Sequence, residues 1–164
     1  MTQALPPEAA GVVFRRCRSL SEQRAAGELL AGRGSPLAER GVGGTDLFGL
    51  WDLTAPAEEA LVGAAAIGPL TDSGEVQLQG IAVAAGEGHQ GLDRRLVSEL
   101  ADSLRARGAA RLVTRSADRA GPALALLRST GFVPAGANRA RAQISAPRTG
   151  VAADEEGNWW ELEL

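Results

Sequence analysis

Leu78-Gln79-Gly80-Ile81-Ala82-Val83, the turn Gly86-Glu87-Gly88-His89-Gln90-Gly91, and the residues from Leu92 onward decide how this chain folds. From Glu75 to Leu78 polar and apolar residues alternate, which predicts a strand with one buried face. The alternation slips at Gly80, where Ile81 and Val83 fall on the face opposite to Val76 and Leu78. A glycine at such a slip marks a β-bulge or a close approach of backbone. After the turn, Leu92, Leu96, Val97, Leu100 and Leu104 recur at helical spacing, predicting a helix from about Gly91 to Arg107 with Gly108 as its stop. Backbone N–H groups at the start of a helix can approach an anion, and the helix dipole favours one, so phosphate or pyrophosphate is the natural guest. Gly86, Gly88 and Gly91 formally spell G-x-G-x-x-G, but no alternating βαβ units surround them. A turn selected only for its φ angles reads the same way.

Working outward, Val12-Val13-Phe14 opens a strand running to about Arg18. Ser19 with Glu22 three residues later is a capping-box pattern, and the helix it starts runs to about Ala31, burying Leu20, Ala25, Leu29 and Leu30. A glycine-rich loop, Gly32–Thr45, leads to two runs, Leu47–Leu53 and Leu61–Ile67, that make an antiparallel hairpin. Beyond the central helix come a strand at Ala110–Arg115 and a helix with Pro122 in its first turn, ending at Thr130-Gly131 with Phe132 as the hydrophobic partner of the stop. Strands are predicted at Phe132–Pro134, Asn138–Ile144 and Trp159–Leu164. The order β-α-β-β-β-α-β-α-β-β-β describes an α+β domain, not a doubly wound sheet. We expect one domain over residues 1–164, with residues 1–10 flexible.

Composition narrows the chemistry. The 164 residues are of single-domain length, 45% hydrophobic and 23% charged, as in ordinary soluble proteins. One cysteine, Cys17, and one histidine, His89, exclude an internal disulfide and any multi-Cys or His-rich metal site. No metal is expected. A net charge of −3 argues against a nucleic-acid partner. All 17 basic residues are Arg, which together with the abundant Ala and Gly reads as coding bias. The chain has no Tyr, so no phenol can act as a general acid. The N-terminus lacks the pattern of a signal peptide, and no apolar stretch is long enough to span a membrane, so a cytoplasmic location and no membrane partner are expected.

Two segments carry a family likeness. Leu78–Val83 with the glycine turn and helix resembles the fourth strand and pyrophosphate loop of the GNAT superfamily, the acyl-CoA-dependent N-acyltransferases. Ala123–Pro134, a helix ending in Gly131-Phe132 before a strand, resembles that family's closing signature. The likeness runs over 75–136, the expected acyl-CoA-binding core. It implies a mixed, mostly antiparallel central sheet flanked by helices. It also implies acetyl-CoA as co-substrate, and direct transfer of the acetyl group to a primary amine of a small molecule or peptide.

By this resemblance the cofactor-binding residues are Ile81, Ala82, Val83, Gly88, His89, Gly91, Leu92, Asp93 and Arg94. The family's loop reads Arg/Gln-x-x-Gly-x-Gly/Ala. With its central glycine on Gly91, Gly88 stands where Arg or Gln is expected and Asp93 where a small residue is expected. A carboxylate about 5 Å from a phosphate repels it by about 3 kcal/mol at an effective dielectric near 20. Arg94 or Arg95 can offset this, or Asp93 can turn to cap the helix. The tyrosine that protonates the departing thiolate in many relatives falls at Leu127, and the asparagine often found at the start of that helix falls near Ala120.

Proximity and backbone polarisation of the thioester would then carry the rate, with water as acid and Glu75 as the candidate base. Glu75 reads more simply as a solvated turn carboxylate, and His89 as a phosphate donor, a base or an exposed polar residue. Trp159-Trp160 line an acceptor pocket, pack the core or meet a second copy in a homodimer. The competing function is a non-catalytic binding or accessory module whose CoA site has decayed.

Overall fold

Four strands at the front of the chain pair antiparallel in sequence order, with the first helix carried in the connection between the first and the second. The computed structural model describes residues 11–32, 46–85, 91–116, 122–135 and 158–164. β1 (Val12–Arg16) pairs with β2 (Asp46–Asp52), β2 with β3 (Leu61–Ile67), and β3 with β4 (Glu75–Val83), all antiparallel. β5 (Arg111–Ser116) then lies parallel to β4, and β7 (Asn158–Glu163) inserts between β5 and β6 (Val133–Pro134). The sheet order is β1-β2-β3-β4-β5-β7-β6, so this is an α+β fold with a mixed, mostly antiparallel sheet. Expectations for residues 1–10, for Gly88 and His89 in the glycine turn, and for a strand at Asn138–Ile144 lie outside the described residues.

Helices cover both faces. α1 (Leu20–Gly32) lies on one face, where Ala26 and Leu30 pack with Cys17, Leu47, Trp51, Ala64, Ala66 and Ala82. Small alanines on β3 and β4 let this helix approach closely. The sequence led us to expect Leu20 in that core, yet it is 81% exposed. The reason is helical phase: Ala26 and Leu30, four apart, set the buried stripe, and Leu20 at the first turn projects past it. Its N-terminus is closed as the capping box predicts. Ser19 Oγ accepts the Glu22 N–H at 3.1 Å, and the Glu22 carboxylate accepts the N–H groups of Arg18 at 2.8 Å and Ser19 at 3.3 Å.

On the other face, α2 (Leu92–Ala106) and α3 (Pro122–Ser129) contribute Leu92, Leu96, Leu100, Leu104 and Leu127 to the larger core, with Phe132 and Trp160. Phe132 N–H returns to the Leu127 carbonyl at 3.0 Å around Gly131, whose φ of 94° closes the helix as the sequence required.

The irregularity at Gly80 is a β-bulge. Ala66 opposes Gly80 and Ile67 opposes Leu78, leaving Gln79 as the extra residue. Strict alternation placed Ile81 and Val83 opposite to Val76 and Leu78, but the extra residue restores the phase. All four side against the larger core, and Ala82 turns to the α1 face.

Candidate active site

Where β4 bulges, it also parts from β5. Their parallel ladder lasts four rungs, from Glu75–Arg111 to Leu78–Thr114. Beyond that, β4 runs to Val83 and β5 to Ser116 with no pairing between them among the described residues. A bulge bends its strand and raises the local twist, which is why the separation begins there. The last rung is closed by a side chain: Thr114 Oγ1 donates to the Leu78 carbonyl at 3.1 Å. Successive residues of a strand aim their backbone groups at opposite neighbours. Every second residue of Gly80–Val83 therefore presents its N–H and C=O to the fork.

α2 begins beside this fork. Leu92 belongs to the same core against which Ile81 and Val83 pack. Gly91 has φ 79°, a left-handed conformation, and an added Cβ would meet nothing within 4 Å, so the backbone alone demands glycine. No side chain caps the helix at Gly91. Instead Asp93 turns back, and its Oδ1 accepts the Arg94 N–H at 2.7 Å. Arg95 is committed to the sheet, donating to the Val12 carbonyl at 2.6 Å with Nε 3.7 Å from Glu99. Arg94 is exposed, and no ion pair holds it among the described residues.

The remaining candidates are spread further. Glu75 stands at the far end of β4, six residues before Ile81, or about 20 Å at strand rise. There it belongs to a turn in which its N–H donates to Thr71 Oγ1 at 3.0 Å. The structure does not bring it to the fork. Cys17 is 3% exposed, and burial, with a further push from the Glu22 charge, raises its thiol to about 11, which keeps it protonated and inert. An open cavity of about 540 Å³ lies by the C-terminal half of α2, lined in part by Phe14, Arg16, Phe48 and Arg107. Asp46 binds both Arg16 and Arg107, so the charges there tie β1 and β2 to the helix. Among the described residues no group of three or more His, Cys, Asp and Glu could hold a metal, and no helix is long and apolar enough to cross a membrane.

Two features of the last rung are settled by strand pairing, the first unmarked in the sequence and the second named there with Trp159. One is Thr114, 9% exposed and bonded across the last rung. The other is Trp160, which opposes Thr114 in register and is 6% exposed, with its indole Nε1 lacking any acceptor. A buried donor left unpaired costs about 1–3 kcal/mol. Only the Trp-Trp pair in the last strand hinted at it.

The comparisons fit this geometry. The family model described as acetyltransferase (GNAT) family matches residues 35–132. An acetyltransferase from Bacillus subtilis solved in complex with CoA superposes with TM-score 0.61 at 15% identity, covering 93% of this chain and 99% of that one. N-acetylglutamate synthase from Neisseria gonorrhoeae, solved with coenzyme A and N-acetylglutamate, gives 0.64 at 18% identity over 94% of this chain and 35% of that one. The ribosomal-protein-S18-alanine N-acetyltransferase of Escherichia coli gives 0.55 at 22% identity, over 93% of each chain. At these identities the structural likeness shows the fold. No curated protein matches the chain. The forked sheet and the family match define an N-acyltransferase. The chain belongs to the acetyltransferase (GNAT) family.

Proposed function

We propose that this enzyme transfers the acetyl group of acetyl-CoA directly to a primary amine of a small molecule or peptide. The observation that carries this reading is the fork: β4 and β5 separate after Leu78–Thr114, at the bulge, and α2 starts nine residues after the end of β4. A separated pair of parallel strands gives an extended acyl carrier a slot with backbone donors along one wall. The solved neighbours that hold CoA support the choice of carrier.

In the slot, an N–H of Gly80–Val83 polarises the thioester carbonyl. Phosphates lie toward Gly91–Arg94, with Gly88 and His89 in the same loop, and Arg94 supplies the positive charge that Arg95 does not. The amine nitrogen attacks the carbonyl carbon, the C–N bond forms, and the C–S bond breaks. The amine's proton passes to water, and the thiolate is protonated from water, since the chain has no Tyr. Holding both reactants in line contributes most of the rate. Residues 75–136 form the acyl-CoA core of a single domain, and a cytoplasmic location accords with this chemistry.

Calorimetry with acetyl-CoA, followed by a thiol-release assay over a panel of primary amines, tests the reading. Saturable binding and amine-dependent release of CoA thiol are expected. Absence of a saturable response at millimolar acetyl-CoA would leave the decayed, non-catalytic module in its place.

A further inference from the structure

We propose that the indole N–H of Trp160 is a hydrogen-bond donor for a carbonyl oxygen on the arm of the acyl carrier. The inference rests on the reading of the fork as an acyl-CoA slot.

Among the described residues two buried side-chain polar atoms lack a partner, Trp51 Nε1 and Trp160 Nε1. Native proteins seldom leave a buried donor unpaired, so each one asks what completes it. For Trp160 the position gives an answer. Leu78, Thr114 and Trp160 form one row across β4, β5 and β7, and that row is the last rung before the fork opens. The hydroxyl of Thr114 is already committed to the Leu78 carbonyl, which leaves the indole as the donor without an acceptor on this row.

α3 stands over the same spot. The Arg128 guanidinium carbon lies 5.8 Å from the centre of the Trp160 ring, and Leu127 packs in the same core cluster as Trp160. Leu127 is the position where the resemblance places a phenol, and leucine offers nothing to donate. The indole N–H on β7 is the buried side-chain donor in that cluster without a partner. An indole N–H is a donor only, with no proton to give at neutral pH. Trp160 therefore holds an amide or thioester carbonyl in place, and protonation of the thiolate stays with water.

Trp51 is the internal control. Its indole lies on the α1 face, folded over Gly49 with Arg15 4.5 Å above its ring, away from the fork. If an unpaired N–H were merely tolerated in this fold, the two indoles would respond alike to acetyl-CoA.

The test uses the full chain with its tryptophans labelled at the indole nitrogen. The three Trp residues give three indole signals, assigned with Trp51→Phe and Trp159→Phe. Titration with acetyl-CoA should move the Trp160 signal downfield and slow its exchange with solvent, leaving Trp51 in place. Trp160→Phe should weaken acetyl-CoA binding roughly two- to tenfold, the range of one neutral hydrogen bond, while Trp51→Phe keeps wild-type affinity. If acetyl-CoA binds by calorimetry but the Trp160 signal stays fixed and Trp160→Phe binds normally, the inference is overturned and the acyl-CoA reading stands. If the wild-type chain binds no acetyl-CoA, the reading itself has failed and the inference goes with it. The labelled wild-type titration decides the matter even if Trp160→Phe does not fold.

Discussion

At the scale of single residues, the start of α2 shows how one carboxylate is accommodated where the family has a small side chain. Asp93 takes the Arg94 N–H, which removes one donor from the helix end and, in the proposed acyl-CoA complex, leaves a negative charge beside the phosphates. Arg95, the other available cation, is fixed to Val12. Under the proposed acyl-CoA reading, Arg94 is thus the side chain left to meet the phosphates. Charge-assisted hydrogen bonds contribute about 1.5–3 kcal/mol when well formed, and less at an exposed position. Arg94→Ala should weaken acetyl-CoA binding by about three- to tenfold at low salt, and the deficit should shrink as salt is raised. Equal affinity of variant and wild type at every ionic strength would remove Arg94 from the site. The sequence named both arginines, but not which of them would be free, because that depends on a carbonyl 83 residues away in β1.

At the scale of elements, what could be read locally was read, and what needed a distant partner was not. The capping box of α1, the glycine stops of α2 and α3, and the β2–β3 hairpin all follow from residues a few positions apart. The bulge was visible at Gly80, but its consequence for Ile81 and Val83 was not, because only pairing with β3 reveals Gln79 as the extra residue. The insertion of β7 between β5 and β6 left no local trace either. The capping box also carries a pH dependence. A hydrogen bond from Arg15, then the N–H groups of Arg18 and Ser19, hold the Glu22 carboxyl at about 2, below its ordinary 4.5. A depressed carboxylate contributes stability that is complete above its unfolded value and disappears as pH falls through the folded one. Its share should therefore decline between about pH 4.5 and 2. Denaturation midpoints of wild type and Glu22→Gln, measured stepwise across that window, should converge as pH falls. A constant gap between them would show that the Arg15–Glu22 pair does not couple to folding.

Over the whole molecule, the sheet is two assemblies meeting at a short seam. β1–β4 with α1 form one, and β5, β7 and β6 with α3 form the other. Four parallel rungs between β4 and β5 join them, helped by α2, whose leucines pack in the shared core. Parallel pairs are slightly weaker per residue than antiparallel ones, so this short seam is a weak joint between the two assemblies. A ligand seated in the fork would touch both walls at once and tighten the seam. At a free concentration one hundred times its dissociation constant, such a ligand adds about 2.7 kcal/mol to the stability of the folded state. For a domain of this size that corresponds to a rise in Tm of roughly 5–11 °C. The added protection should be uneven. Amide hydrogen exchange ought to slow most along Gly80–Val83 and the facing end of β5, and least along the β1–β2 pairing, which β3 separates from β4. A Tm that rises with protection spread evenly over the sheet would mean that acetyl-CoA binds elsewhere than the fork, and the division of the sheet into two walls around a slot would have to be abandoned.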